Sequence, residues 1–272
     1  MMANNAKDSE FKPLIHCITN PISMMQCANV VLGLGARPIM AEHPAEVKEI
    51  TATADALLLN LGNISDSRME AMEISFDEAM RKEVPVAIDA VGIACSRFRR
   101  DFILKLLEKR SEKCFLLIKG NYSEILALND EKFRSEGVDA KEGIELEHII
   151  SASKKLSSRY NAVILASGKT DVVVGKESVA YVNNGCKELS MITGTGCMLG
   201  AICAVLLAKK RSFEAVTDAC ALLGIAGEMA SMPWKGTGTF LVRLMDEVSL
   251  MTDELIHKKH KVEVTQNDNS CN

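Results

Sequence analysis

The sequence predicts an α/β fold: a mainly parallel sheet with helices on both faces. Two observations carry this. Short strands alternate with helical segments over about two hundred residues, and the strands are apolar throughout instead of alternating, as expected when both faces of a parallel sheet are covered. Ligands of such sheets bind beyond the C-terminal strand ends, so polar residues at those ends are candidates for function.

Residues 14–18 read as the first strand, ended by Thr19-Asn20-Pro21. Residues 23–34 carry apolar side chains at 24, 28, 31 and 32, a helical stripe, which Gly33 and Gly35 stop. A short strand at 38–41 follows. Pro44 suits the first position of a helix over 45–53, and 56–60 is an apolar strand leading into Leu61-Gly62-Asn63. Ser65 suits an N-cap for a helix reaching residue 81. The strand at 84–88 delivers Asp89. A helix over 98–110 precedes a strand at 114–118, which delivers Lys119-Gly120-Asn121, and a helix begins at Ser123. The polar stretch 129–145 reads as a surface loop with some helix. Residues 147–159 are helical and 162–166 form a strand ending in Ser167-Gly168. The valine-rich runs 171–174 and 179–182 flank a turn and predict a hairpin. Helices are expected over 213–231 and 239–251. We expect one domain over 1–272, with flexible tails at 1–10 and 258–272.

The sequence is organised around Thr193-Gly194-Thr195-Gly196-Cys197 and the apolar run 198–208. That run is too short to span a membrane and reads as a buried helix. A glycine turn feeding a buried helix leaves amide N–H groups without helical partners, which suits an anion such as phosphate. Cys197 falls in the first turn, where thiol acidity tends to rise. A tight turn with a small buried cysteine is the ordinary alternative.

The 272 residues are 47% hydrophobic and 25% charged, with net charge −4, which argues against a nucleic-acid surface. The basic clusters Arg97, Arg99, Arg100 and Lys209, Lys210, Arg211 suit solvated helix ends. No signal-peptide core, membrane span or Cys-x-x-Cys pair is present in the sequence, and the nine cysteines read as reduced thiols of a cytoplasmic protein. His16, beside an apolar strand, reads as a satisfied core histidine. P-loop, dinucleotide Gly-x-Gly-x-x-Gly and Gly-x-Ser-x-Gly patterns are absent. Asp89 and Glu124, with waters, would suit Mg²⁺. Capping alone would also explain either carboxylate.

Taken together, the motifs resemble the hydroxyethylthiazole kinase family of the ribokinase-like fold, over nearly the whole chain. The resemblance rests on Pro13-Leu14-Ile15-His16, Ile18-Thr19-Asn20, Ala28-Asn29, Gly35-Ala36, Met40-Ala41 and Leu59-Asn60-Leu61-Gly62. It continues through Asp89, Val91-Gly92, Lys119-Gly120-Asn121, Ser123-Glu124, Ser167-Gly168, Asp171 and Asn184-Gly185. It ends with Thr193 to Met198 and Gly236-Thr237-Gly238-Thr239-Phe240.

The resemblance implies a three-layer α/β/α fold and Mg²⁺- and ATP-dependent phosphorylation of the hydroxyl of 4-methyl-5-(2-hydroxyethyl)thiazole, in thiamine salvage. It also implies a homotrimer with the thiazole pocket at subunit interfaces. Met40 and Gly194, with Asn20 and Gly62, would line that pocket. Lys119, Ser167 and Asn121 would contact ATP, and Asp89 and Glu124 would lie at the Mg²⁺ site. Cys197, Gly194 and Gly196 would form the catalytic loop. Ala90, Lys119, Ser167 and Met25 depart from the family's usual proline, arginine, threonine and asparagine. Lysine keeps the charge of arginine but loses its fork. Two alternatives remain: a ribokinase-like nicotinamide-hydrate dehydratase, which would need aspartate at position 197, and a non-catalytic thiazole or nucleotide sensor.

Overall fold

The computed structural model describes residues 11–133 and 146–267. The predicted tail 1–10, residues 268–272 and most of the predicted 129–145 loop lie outside them. Among the described residues nine strands form one sheet in the order β2-β1-β3-β4-β5-β6-β7-β8-β9. These are β1 Leu14–Ile18, β2 Arg37–Ile39, β3 Ala56–Asn60, β4 Val86–Asp89, β5 Leu116–Asn121, β6 Val163–Ser167, β7 Asp171–Val174, β8 Ser178–Val182 and β9 Val262–Gln266. The first six pair in parallel and the last three antiparallel.

The helices are α1 Met24–Gly33, α2 Val47–Thr53, α3 Asp66–Lys82, α4 Arg97–Glu108, α5 Tyr122–Asn129, α6 Leu146–Tyr160, α7 Thr195–Lys209, α8 Phe213–Ala230, α9 Thr237–Leu250 and α10 Asp253–Lys259. Successive strand residues feed opposite faces. Leu58, Ala87 and Leu117 pack with α1, α7, α8, α9 and α10. Leu57, Leu59, Ile88 and Ile118 pack with α2 to α6. The result is three layers, α/β/α, as the sequence predicts. α7 is buried along almost its whole length, which explains why its sequence is apolar on every side.

The expected flexible C-terminal tail is corrected over residues 262–266. This segment is the edge strand β9, paired with β8 from Val182↔Val262 to Ser178↔Gln266. α10 and a 3-10 turn over Lys187–Met191 also lie outside the predicted elements. Pro44 opens a turn instead of a helix, and α2 starts at Val47. β5 starts two residues later than predicted and continues through Asn121, so Lys119 is a strand residue. His16 is a satisfied core histidine: its ring nitrogens lie 2.9 Å from Thr51 Oγ1 and 2.9 Å from Ala41 O.

Candidate active site

The parallel register brings the candidate residues together. Asn60 pairs with Asp89, Asp89 with Lys119, and Asn121 with Ser167. Asn60, Asp89, Asn121 and Ser167 each close their strand, and Lys119 lies two residues before the end of β5, so four adjacent strands present polar side chains along one edge. Against this edge α7 begins. Its N-cap, Gly194, has φ of 95°, a conformation glycine adopts without the steric penalty of a side chain. The amides of Thr195, Gly196 and Cys197 precede the first intrahelical bond, which runs from Met198 N–H to Gly194 O at 2.8 Å.

Lys119 Nζ lies 3.2 Å from Asp89 Oδ2, with both side chains buried. Burial pulls the lysine toward neutrality, but Asp89, Glu124 and Cys197 together outweigh it and hold the ammonium above its ordinary range. Burial pushes the Asp89 carboxyl up, and the ammonium opposes that. A β-carbon placed on Gly196 would lie 3.7 Å from Lys119 Nζ, so the charge sits beneath the amide-rich start of α7.

A chain of amides joins this pair to the thiol. Asn60 Nδ2 donates to Asp89 Oδ2 at 3.1 Å. Asn60 Oδ1 accepts from Gly62 N–H at 2.8 Å and from Asn20 Nδ2 at 3.4 Å. Asn20 Nδ2 also donates to Cys197 Sγ at 3.2 Å, and Asn20 Oδ1 accepts from Ser23 N–H at 3.2 Å. Asn60 belongs to the site; the sequence marks it as part of the strand-end group Asn60-Leu61-Gly62 without giving it a role of its own. A polar residue closing the buried run Ala56–Leu59 was the available signal, because buried amides need partners. Gly62 is required by close approach: a β-carbon there would meet Asn60 Oδ1 at 2.8 Å and Asn20 Nδ2 at 2.9 Å.

Glu124 is buried at the start of α5. Its Oε1 accepts from Gly92 N–H and its Oε2 from Asn121 N–H, both at 2.7 Å. Asn121 Oδ1 accepts from Glu124 N–H in return, which completes a capping box. Burial and the nearby Asp89 raise the Glu124 carboxyl to about 7, against its two amide donors and Lys119. Both Glu124 and Asn121 therefore also have a structural task. Ser167, half-buried, donates to Gly120 O at 3.3 Å. Met40 lies just past β2, half-buried on the core layer that includes α1 and α7. Thus Asn20, Gly62, Asp89, Lys119, Gly194, Gly196 and Cys197 converge on one centre. Asn121, Glu124 and Ser167 lie on its β5–β6 side, and Met40 lies at its β2 edge.

Arg68 is a further residue that sequence reasoning missed. From the first turn of α3 its buried guanidinium bonds the carbonyls of Thr19, Gly62 and Asn63, and Nε lies 3.1 Å from Glu42.

Among the described residues no group of three or more His, Cys, Asp or Glu side chains is placed to hold a metal. Asp89 Oδ1 is nevertheless buried without a hydrogen-bond partner, and Asp89 lies close enough to Glu124 to raise that carboxyl. An unpaired carboxylate oxygen beside a second carboxylate fits a hard cation completed by water and phosphate oxygens.

Comparison with known proteins bears on this centre. The Hydroxyethylthiazole kinase family model matches residues 6–254. The chain belongs to the hydroxyethylthiazole kinase family. "Hydroxyethylthiazole kinase 1" of Clostridium botulinum is 41% identical over 256 residues, covering 92% of this chain and 95% of that protein. The solved hydroxyethylthiazole kinase of Pyrococcus horikoshii superposes with a TM-score of 0.83 at 30% identity, covering 93% of this chain and 94% of that one. A ribokinase-like superfamily protein of Enterococcus faecalis has a TM-score of 0.63 at 14% identity, which supports the fold alone. Within the hydroxyethylthiazole kinase family, then, this chain is an enzyme with a ribokinase-like fold.

Proposed function

We propose that this protein phosphorylates the hydroxyl of 4-methyl-5-(2-hydroxyethyl)thiazole with ATP as donor and Mg²⁺ as cofactor. We further propose that it acts as a cytoplasmic homotrimer in thiamine salvage. The observation that carries the reading is the placement of Cys197 and the first-turn amides of α7 beside the buried Lys119–Asp89 pair, in a chain that matches the family over residues 6–254. Phosphoryl transfer asks for positioning and charge stabilisation, and this centre supplies both.

In this reading Asn20, Gly62, Met40 and Gly194 bind the thiazole. Asn20 orients the Cys197 thiol through its 3.2 Å hydrogen bond, next to the incoming hydroxyl. The amides of Thr195, Gly196 and Cys197 hold the negative charge that develops on the transferred group. Lys119 adds a positive charge from below, and Ser167 and Asn121 border the nucleotide. Asp89 Oδ1 and Glu124 would hold Mg²⁺, whose charge offsets that of the phosphates when it is bound. A dehydratase would need a carboxylate at position 197, where cysteine stands.

The test is ADP release measured with hydroxyethylthiazole, with hydroxymethylpyrimidine and with no acceptor, with and without Mg²⁺. We expect release that needs the thiazole and Mg²⁺. Folded protein that turns over the pyrimidine and not the thiazole would refute the reading.

A further inference from the structure

We propose that Arg68 is a positioning residue that sets the thiazole side of the active site by tying three separate loops to one guanidinium. The proposal rests on the thiazole-kinase reading for its substrate. Arg68 Nη2 donates to Thr19 O. Its Nη1 donates to Asn63 O at 2.7 Å and to Gly62 O at 3.4 Å. Its Nε lies 3.1 Å from Glu42 Oε2, and the arginine side chain is 5% exposed against 40% for the glutamate.

These partners are not scattered. Thr19 precedes Asn20, Gly62 is itself a pocket residue, and Glu42 stands two residues after Met40. The residues assigned to the thiazole from β1, β2 and β3 therefore lie on segments that one side chain holds. Only a guanidinium offers donors in several fixed directions within one plane; an ammonium is a point charge on a flexible stem. Because Asn20 carries the hydrogen bond to Cys197, the position of Thr19 also governs how the thiol is held. The residues placed near ATP, Lys119, Asn121 and Ser167, belong to β5 and β6, beyond β4 from these loops. Arg68 should therefore act on one substrate and spare the other.

The test compares wild type with Arg68→Lys. We expect KM for hydroxyethylthiazole to rise about tenfold, with KM for ATP within about twofold, as loops shifted by a fraction of an ångström lose fit to one substrate only. A second readout needs no turnover: iodoacetamide alkylation of each cysteine, resolved by peptide mass spectrometry. Cys197 should react several-fold faster in the variant, while Cys203 and Cys220, both deep in the core, should stay unreactive. If wild type does not turn over the thiazole, the functional reading fails and the alkylation pattern still decides the role of Arg68. Unchanged KM and unchanged Cys197 reactivity in a folded variant would overturn the proposal. So would a parallel rise in both KM values with general cysteine exposure, which marks a merely structural residue. If Arg68→Lys does not fold, Glu42→Gln releases one tether from its exposed partner and is read by the same two measurements, with the same expected and overturning results.

Discussion

Asn20 Nδ2 lies 3.2 Å from Cys197 Sγ, a contact across 177 positions of sequence that joins the first β-strand turn to the start of α7. It fixes the thiol against the sheet edge. Phosphoryl transfer has a loose transition state that gains little from early removal of the acceptor proton. Cys197→Ala should therefore leave measurable turnover, with a loss of about 10²-fold or less. Cys197→Asp should be active, because an ionised carboxylate can accept the same Asn20 hydrogen bond. Steady-state rates of both variants against pH check this. Complete loss in both would assign the thiol a covalent or unique role.

Asn60 links Asp89 to Gly62 through one buried amide. Asn60→Ala leaves Gly62 N–H without its acceptor and removes a donor from the Asp89 carboxylate. The expected cost is about 1–3 kcal/mol of stability, read by urea denaturation, with a fall in kcat. Wild-type stability in the variant would show that neither hydrogen bond matters.

Glu124 accepts two backbone N–H bonds at 2.7 Å. Glu124→Gln can keep only one, since its amide nitrogen would face a donor. The variant should lose about 1–3 kcal/mol and, if the carboxylate also helps hold Mg²⁺, need more Mg²⁺ for half-maximal rate. Titration of activity with Mg²⁺ separates the two roles. A stability loss with unchanged Mg²⁺ dependence would leave Glu124 as a capping residue only.

Asp171 accepts from Gly168 N–H at 3.0 Å, yet burial raises its carboxyl to about 6, against that bond and Lys119. The folded state thus holds the proton more tightly than the unfolded chain. The resulting stabilisation is present at low pH and is lost as pH rises from about 4 to about 6. Asp171→Asn keeps the acceptor and does not titrate. It should match wild type near pH 4 and be more stable near pH 7, by up to about 3 kcal/mol before solvent screening. Thermal melting of both proteins across that range is the check, and parallel curves would contradict the assignment.

α1 and α9 pack together and, with the turn before α1, leave large apolar side chains in solvent. Ile22 in that turn is 62% exposed, Met25 71%, Leu32 57% and Val242 63%. Scattered exposed apolar residues are ordinary, but several on neighbouring elements suit an interface between subunits. Light scattering should give about three times the 29.6 kDa chain mass, as for a closed threefold ring. Met25→Asp and Val242→Asp together should reduce the mass and the activity. A fully active monomer would refute a pocket shared between subunits.

Local pattern determined much of this protein. Apolar runs such as Ala56–Asn60 and Val163–Ser167 read as strands covered on both faces, and the apolar run 198–208 reads as a buried helix. Those signals lie within a few residues of chain, as does the positive φ that Gly194 supplies. The Thr252 cap, with Asp253 and Glu254 in the first turn and His257 to Lys259 in the last, also marked α10, although we did not read it. What only the tertiary structure decided depends on distant partners. β9 is polar and mostly exposed, and its order comes from the ladder with β8, a partner about eighty positions away. Arg68 reads as an ordinary charge in a polar helix until three carbonyls from other segments surround it. Asp89 and Lys119 become a pair only because β4 and β5 align in register. Propensity and periodicity act between neighbours in sequence, whereas the Asn20–Asn60–Asp89–Lys119 chain exists only where four strand ends meet.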